Sequence, residues 1–157
     1  MKSVRMCLLW LFAVVCAFPA FGADHWKTDK TTGCRFEAPE TWETYSAQWT
    51  GTCVAGVADG SGVLKSFCKG KVKEIYYGRV KQGVLDIGVI EADNGYIAGR
   101  FTDGKPVQDG DRNTYILAFR EAVAAAKQAS EFYKQKGNAA TARFYSEKAK
   151  SLDQQMD

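Results

Sequence analysis

The sequence predicts an α+β fold in which stacked antiparallel β-hairpins are followed by a C-terminal α-helical hairpin. Twelve of the 15 glycines lie in residues 51–110, where they separate segments rich in β-branched and aromatic residues. Such segments, bounded by turn residues, are typical of short strands. After residue 112 glycine almost disappears, and alanine and aromatic residues recur every three or four positions, which is the spacing of a helix face.

Residues 1–22 have the organisation of a secretory signal peptide. Two basic residues precede an uncharged apolar run from Leu8 to Phe18, and a small-x-small cleavage pattern follows at 20–22. The run of about a dozen apolar residues is too short to span a bilayer. We therefore predict an exported protein, periplasmic or secreted, whose mature chain begins at Ala23.

Composition limits the classes of function. The length of 157 residues suits one domain or two small ones and excludes a large multidomain enzyme. The net charge of +3 falls to +1 without the predicted signal peptide, so we expect no nucleic-acid partner. His25 is the only histidine and lies close to the predicted mature terminus, which argues against most metal sites and catalytic triads. We expect no cofactor, no metal and no small-molecule substrate.

Three cysteines, Cys34, Cys53 and Cys68, lie beyond the predicted signal peptide, enough for one disulfide and one remaining thiol. We favour a Cys34–Cys53 bond, which closes a loop of 18 residues and would contribute about 3 kcal/mol through the unfolded state. This bond would tie an irregular N-terminal segment, residues 23–48, to the first strand that follows. Pairing of Cys53 with Cys68 is the main alternative, and the sequence leaves open which cysteine is unpaired.

The glycines of the middle region follow a repeating pattern. The first unit reads Trp49-x-Gly51-x-Cys53-x-x-Gly56-x-x-x-Gly60-x-Gly62-x-Leu64. Partial copies follow as Tyr76-x-Gly78-x-Val80-x-x-Gly83 and Ile97-x-Gly99-x-Phe101-x-x-Gly104. The units begin 27 and 21 residues apart, a spacing that indicates stacked structural repeats. We expect each unit to form a hairpin, with Gly56 in the turn and the later glycines admitting a backbone or an aromatic ring.

The unit that begins at Trp49 resembles a membrane occupation and recognition nexus (MORN) repeat, whose pattern is aromatic-x-Gly-x-aromatic-x-x-Gly followed by Gly-x-Gly. The resemblance covers residues 49–112 as about three degenerate repeats. Cys53 replaces the second aromatic residue in the first unit, and Ile97 replaces the first aromatic residue in the third. The likeness, which extends to bacterial exported versions of these repeats, implies stacked hairpins that form platforms for proteins or membranes. It carries over no catalytic residue.

Residues 113–157 predict a helical hairpin. We expect Asn113 to cap a helix of about 23 residues, Gly137 to end it and Asn138 to cap the second helix. The stretch 133–153 resembles the middle and second half of a tetratricopeptide repeat. Because one copy does not form a solenoid, we expect the helices to cap the end of the sheet or to pair with a partner.

A calcium-loop pattern lies where the two regions meet. Asp109-x-Asp111-x-Asn113 matches the first half of such a loop, but Thr114 stands where the loop requires glycine. We therefore interpret these side chains as turn and N-cap residues rather than as metal ligands.

The main functional hypothesis is a non-catalytic interaction or scaffold module in the cell envelope, with an unidentified protein as partner. It predicts an exposed apolar patch on the folded chain. The candidates for this interaction surface are the aromatic residues Trp49, Tyr76, Tyr77, Tyr96 and Phe101. Each of them could equally belong to the core.

Two other classes of function stay open. Six basic residues would meet an anionic membrane surface if they shared one face: Lys65, Lys69, Lys71, Lys73, Arg79 and Lys81. Lysines along a solvated strand edge, which discourage aggregation, are the simpler interpretation. A small enzyme is the least favoured class, with a carboxylate pair such as Glu91 and Asp93 for acid–base chemistry.

Overall fold

The computed structural model describes residues 25–108 and 110–157, so the predicted signal peptide, the predicted start at Ala23, and Asp109 lie outside the described residues. The predicted α+β architecture is confirmed, as a curled sheet followed by two helices. The strands are β1 (Trp26–Thr28), β2 (Arg35–Glu37), β3 (Ser46–Val54), β4 (Val57–Cys68), β5 (Lys71–Lys81), β6 (Val84–Ala92), β7 (Gly95–Thr102) and β8 (Lys105–Pro106). The helices are α1 (Arg112–Gln135) and α2 (Ala139–Asp153), and a short 3-10 helix spans Glu40–Trp42.

The sheet is built from consecutive hairpins. Its strands pair in the order β1-β2-β4-β5-β6-β7-β8, and β3 also pairs with β4. Every pairing is antiparallel except that of β2 with β4, where Arg35 lies opposite Val57. Four hairpin turns have two successive residues with positive φ: Ala55-Gly56, Lys69-Gly70, Gln82-Gly83 and Asp103-Gly104. This turn geometry matches the twist of the adjoining strands, and glycine adopts it without strain.

The expectation of an irregular segment over residues 23–48 is wrong in part. Strands β1 and β2 pair within it, with Lys27 opposite Phe36. Phe36 and Trp42 are fully buried and anchor this stretch to the sheet. Strands of three residues are too short to show an alternating pattern in the sequence. We refer to residues 25–45 as the N-terminal cover.

Five glycines form a row across the middle of the sheet. They lie in register on successive strands, in the order Gly51–Gly62–Gly78–Gly88–Gly99. A Cβ atom on either of the first two glycines would collide with the ring of Trp49, and one on the next two would meet Tyr76. The glycine row therefore lets two aromatic rings lie flat against the sheet, as the repeat pattern predicts for Gly62.

The face that carries these rings forms one hydrophobic core with the N-terminal cover. Trp49, Leu64 and Tyr76 cluster there with Phe36 and Trp42 of the cover, and all five side chains are at most 4 % exposed. The polar atoms of the rings are satisfied within this core. The indole N–H of Trp49 donates to the carbonyl oxygen of Thr52 at 3.0 Å, and the indole N–H of Trp42 donates to the Glu74 carboxylate.

The opposite face of the sheet packs against α1. Val63, Tyr77 and Val89 are fully buried there and cluster with α1 residues that include Phe119 and Ala122. The helices therefore lie across a face of the sheet, and the expectation that they cap its end is wrong. Alternating strand residues serve the two faces, because successive side chains point in opposite directions.

The helical hairpin has small-residue packing and well-defined caps. Helix α2 packs on α1 through buried alanines, and the Tyr133 and Tyr145 rings stack at 5.6 Å. Gly137 has a φ of +73°, and the Asn138 side chain accepts the N–H of Thr141, as predicted for the end of one helix and the start of the next. The first cap differs from the prediction: Asp111, not Asn113, is the N-cap of α1.

Two attachments hold the N-terminal cover to β3. The predicted Cys34–Cys53 disulfide is present with a Cα–Cα distance of 5.9 Å, and Cys68 is a half-buried free thiol. The second attachment is the buried carboxylate of Asp29, which accepts the N–H of Trp49 at 3.0 Å and that of Thr31 at 2.8 Å. A buried carboxylate is stable here because both of its oxygens accept hydrogen bonds.

We expect Gly78→Ala to lower the free energy of unfolding by about 2–3 kcal/mol, the cost of overpacking a dense core. The added Cβ would lie 2.6 Å from the Tyr76 hydroxyl and 2.7 Å from the Gly88 Cα. Gly56→Ala is the control, because its Cβ would meet nothing within 4 Å and only the positive φ would cost about 1 kcal/mol. Urea denaturation measures both losses, and equal losses would contradict a packing role for the row.

Replacing Cys34 and Cys53 together by serine should lower the free energy of unfolding by about 3 kcal/mol, because the unfolded chain gains freedom. Cys68→Ser should change it by less than about 0.5 kcal/mol. Chemical denaturation without reductant gives both values. A double variant as stable as the wild type would show that the disulfide does not hold the N-terminal cover in place.

Candidate functional site

The predicted aromatic interaction surface is wrong for four of its five residues. Trp49, Tyr76, Tyr77 and Phe101 are between 0 % and 6 % exposed. They are buried because the glycine row draws rings onto the sheet and because the N-terminal cover and α1 then close over the two faces. Tyr96 is half-buried, and its ring meets Phe119 edge-on at 5.8 Å.

Three of the six basic residues of 65–81 have contacts within the fold. Arg79 pairs with Glu121 of α1 at 2.8 Å, and Lys81 has an ion pair with a carboxylate of β6 at 2.9 Å. Lys65 lies over an aromatic ring of α2 at 4.9 Å, where burial lowers the pKa of its ammonium. The exposed basic side chains without such contacts lie at the opposite end of β5 and its turn: Lys69, Lys71 and Lys73.

The two carboxylates of the candidate acid–base pair have different surroundings. Glu91 accepts hydrogen bonds from the Tyr77 hydroxyl at 3.2 Å and from the Lys148 ammonium at 2.6 Å. Asp93 lies in the exposed turn between β6 and β7. Burial, followed by the Glu91 charge, raises the pKa of Tyr77, so this hydroxyl stays protonated. Glu91 thus supports the packing of α2 on the sheet.

The calcium-loop pattern has a structural role where it is described. The Asp111 carboxylate accepts the N–H of Asn113 at 3.2 Å and that of Thr114 at 3.1 Å, and these hydrogen bonds lower its pKa. Over residues 25–108 and 110–157, no group of three His, Cys, Asp or Glu side chains is placed to hold a metal ion. Nor does either described helix have the length and apolar character needed to cross a bilayer.

Strand β7 has an open outer edge. Ala92 and Gly95 flank the two-residue turn between β6 and β7 and form a hydrogen-bonded pair. Hydrogen-bonded and non-hydrogen-bonded pairs alternate along an antiparallel ladder, so the N–H and C=O groups of Tyr96 and Ala98 point away from β6. Strand β8 pairs only with the end of β7, and the Val107 N–H donates to the Arg100 carbonyl oxygen at 2.8 Å. Within the described part of the chain, the outward N–H and C=O groups of Tyr96 and Ala98 have no backbone partner.

A groove lies on each side of this edge. The groove of about 540 Å³ opens toward α1 and has a mixed lining, in which Tyr96, Ala98, Val107 and Tyr115 are joined by the polar residues Gln108, Asp111 and Arg112. A smaller groove of about 240 Å³ opens toward the N-terminal cover, and Ile97 and Pro106 line both. Ile97, Val107 and Tyr115 are about 41–42 % exposed. We name the outer edge of residues 96–98 together with the two grooves the β7 edge site.

Of the residues in the β7 edge site, the sequence predicts only Tyr96 as part of an interaction surface. Ile97 stands in the sequence as a replacement for an aromatic repeat residue, and no pattern indicates a binding role for Ala98 or Val107. Pro106 is the signal that could have found the site. Proline is typical of a short edge strand, and β8 spans only Lys105–Pro106, so β7 extends beyond its neighbour.

No family model, no curated protein and no solved structure matches this chain. The resemblance to MORN repeats therefore stays a prediction from the residues.

Glu37 is the carboxyl that the sequence offered no reason to notice. Its Oε2 atom is buried without a hydrogen-bond partner. Burial, followed by the nearby Asp103 charge, raises the pKa of this carboxyl above its ordinary value of 4.5, while His25 acts in the opposite direction. The native state therefore binds the Glu37 proton more tightly than the unfolded state does.

We expect Glu37→Gln to gain stability over the wild type as pH rises from about 4 to about 7. Because its pKa is raised in the native state, Glu37 stabilises that state at pH values below the ordinary pKa of the carboxyl. This contribution is lost as the pH rises through the native-state pKa. The difference should stay below about 1 kcal/mol because the side chain is only partly buried. Urea denaturation at both pH values measures it, with Glu43→Gln as the exposed control. A pH-independent difference would refute the raised pKa.

Proposed function

We propose that this chain is a non-catalytic interaction module that works in the cell envelope or outside the cell, and that the β7 edge site is its partner-binding surface. The observation that carries the proposal is the coincidence of an open strand edge with exposed apolar side chains. Folded monomers rarely leave such a combination without a partner.

Two further observations support this class of function. The Cys34–Cys53 disulfide suits an oxidising compartment, as the signal-peptide pattern predicts. The carboxylates with the clearest contacts, those of Asp29 and Glu91, hold the N-terminal cover and α2 in place. These two carboxylates are thus engaged in maintaining the shape of the molecule.

Ile97→Asp should abolish partner capture, because it places a charge where the two grooves meet, in place of an exposed apolar side chain. Val54→Asp is the matched control, since Val54 is 57 % exposed and lies on the β3–β4 hairpin outside the β7 edge site. The full chain and both variants are cross-linked in envelope extracts, and the captured proteins are quantified by mass spectrometry. We expect a loss of at least about tenfold for Ile97→Asp alone.

Equal thermal midpoints would establish that both variants are folded. If Ile97→Asp and Val54→Asp capture the same proteins in the same amounts as the wild type, the β7 edge site is not the partner-binding surface.

A further inference from the structure

We infer that the β7 edge site binds an extended segment of its partner protein, which adds to the sheet as a new strand beside β7. This inference rests on the proposed function and names the form in which the partner binds. The segment would carry apolar side chains on the face that meets the smaller groove, over about three to five residues, the length that the open edge can pair.

The backbone argument comes from the outward groups of Tyr96 and Ala98. Their two N–H and two C=O groups are spaced as a β-strand requires, and only an extended chain can satisfy all four together. The open stretch, residues 95–99, contains no charge and no proline, the two devices by which strand edges are usually protected.

The other side of the sheet is protected in a way that β7 is not. At β3 the Asp29 carboxylate of the N-terminal cover takes the N–H of Trp49, so a charged side chain lies against that edge. The contrast matters because an unprotected edge invites aggregation unless it is used. The undefended stretch of β7 is therefore a feature that a binding role explains.

The side-chain argument comes from the two grooves. Successive side chains of an added strand point to opposite faces, so one set would enter the larger groove and the other the smaller. Tyr96, Ala98 and Val107 would contact the first set, and Ile97 and Pro106 lie where the two grooves meet. The smaller groove therefore selects apolar side chains on one face of the bound segment, whereas the mixed lining of the larger groove accepts both apolar and polar side chains on the other.

The size of the site indicates a single extended chain rather than a second folded copy. The described residues that follow β8, Val107, Gln108 and Gly110, line the outer side of the larger groove together with Tyr115 of α1. Volumes of about 240 and 540 Å³ suit short peptide segments. The edge of another complete sheet would need this outer side to be open.

Ala98→Pro tests the inference because it removes the outward N–H at residue 98. Ala98→Val is the matched control, since valine has a similar volume and keeps that N–H. The probe is a displayed library of random peptides of about nine residues, selected on the full chain. We expect the selected peptides to be extended and apolar at the positions that face the smaller groove, and to lose about tenfold in affinity for Ala98→Pro but less than about twofold for Ala98→Val.

Hydrogen exchange gives an independent measurement on the wild-type chain. A bound peptide should protect the amides of Tyr96 and Ala98, and N-methylation of the peptide amides that face β7 should abolish binding. This measurement decides the matter if Ala98→Pro does not fold. Selected peptides that bind without protecting these amides, or a library that yields no binder, would overturn strand addition.

The outcomes separate this inference from the proposed function. If Ile97→Asp loses its captured partner while Ala98→Pro keeps it, the partner-binding surface stands and strand addition fails. Protection of Tyr96 and Ala98 in the free chain would mean that the edge is already occupied, and strand addition by a partner again fails. Dependence of that protection on protein concentration would identify a second copy as the occupant, and independence would identify a segment of the same chain.

Discussion

The close approach of aromatic rings to the glycine row is the constraint on which the rest of the structure depends. Trp49 and Tyr76 lie flat over four glycines because no Cβ atom holds them away from the sheet. The Tyr76 hydroxyl lies 2.7 Å from the Arg79 carbonyl oxygen and 3.0 Å from that of Ile87, so it finds acceptors without leaving the core. A large amphipathic ring can be fully buried only where its polar end has such partners.

The apolar rings on this face of the sheet must be buried, and the N-terminal cover buries them. A sheet face that carries Trp49, Tyr76 and Phe101 is too apolar to stay in water, so Phe36 and Trp42 pack over it. The cover contains only two three-residue strands and a short 3-10 helix, which would be unstable alone. The disulfide and the Asp29 hydrogen bonds compensate by limiting the freedom of a segment with little regular structure.

The elements that the sequence predicted are those determined by local chemistry. The Ala55-Gly56 turn, the end of α1 at Gly137 and the cap at Asn138 each follow from a residue type at one position. What it missed depends on contacts between distant segments. Gly88 interrupts the repeat spacing yet lies in the glycine row, and the burial of Tyr77 follows from α1 crossing the sheet. The sequence alone does not show whether the aromatic residues of a repeat are buried or exposed, because their burial depends on which distant segments cover the sheet.

Burial of both faces also decides where this sheet can meet a partner. The N-terminal cover occupies one face and α1 the other, so the backbone remains accessible only along the edges. A sheet can contact a partner through its face only if that face is uncovered. In this protein the aromatic residues of both faces are buried in the two cores. Among the residues that the structure describes, the stretch of β7 beyond β8 has unpaired backbone groups and exposed apolar side chains together. Any interaction of this sheet that leaves both cores intact must therefore use an edge, and β7 is the edge whose chemistry favours one.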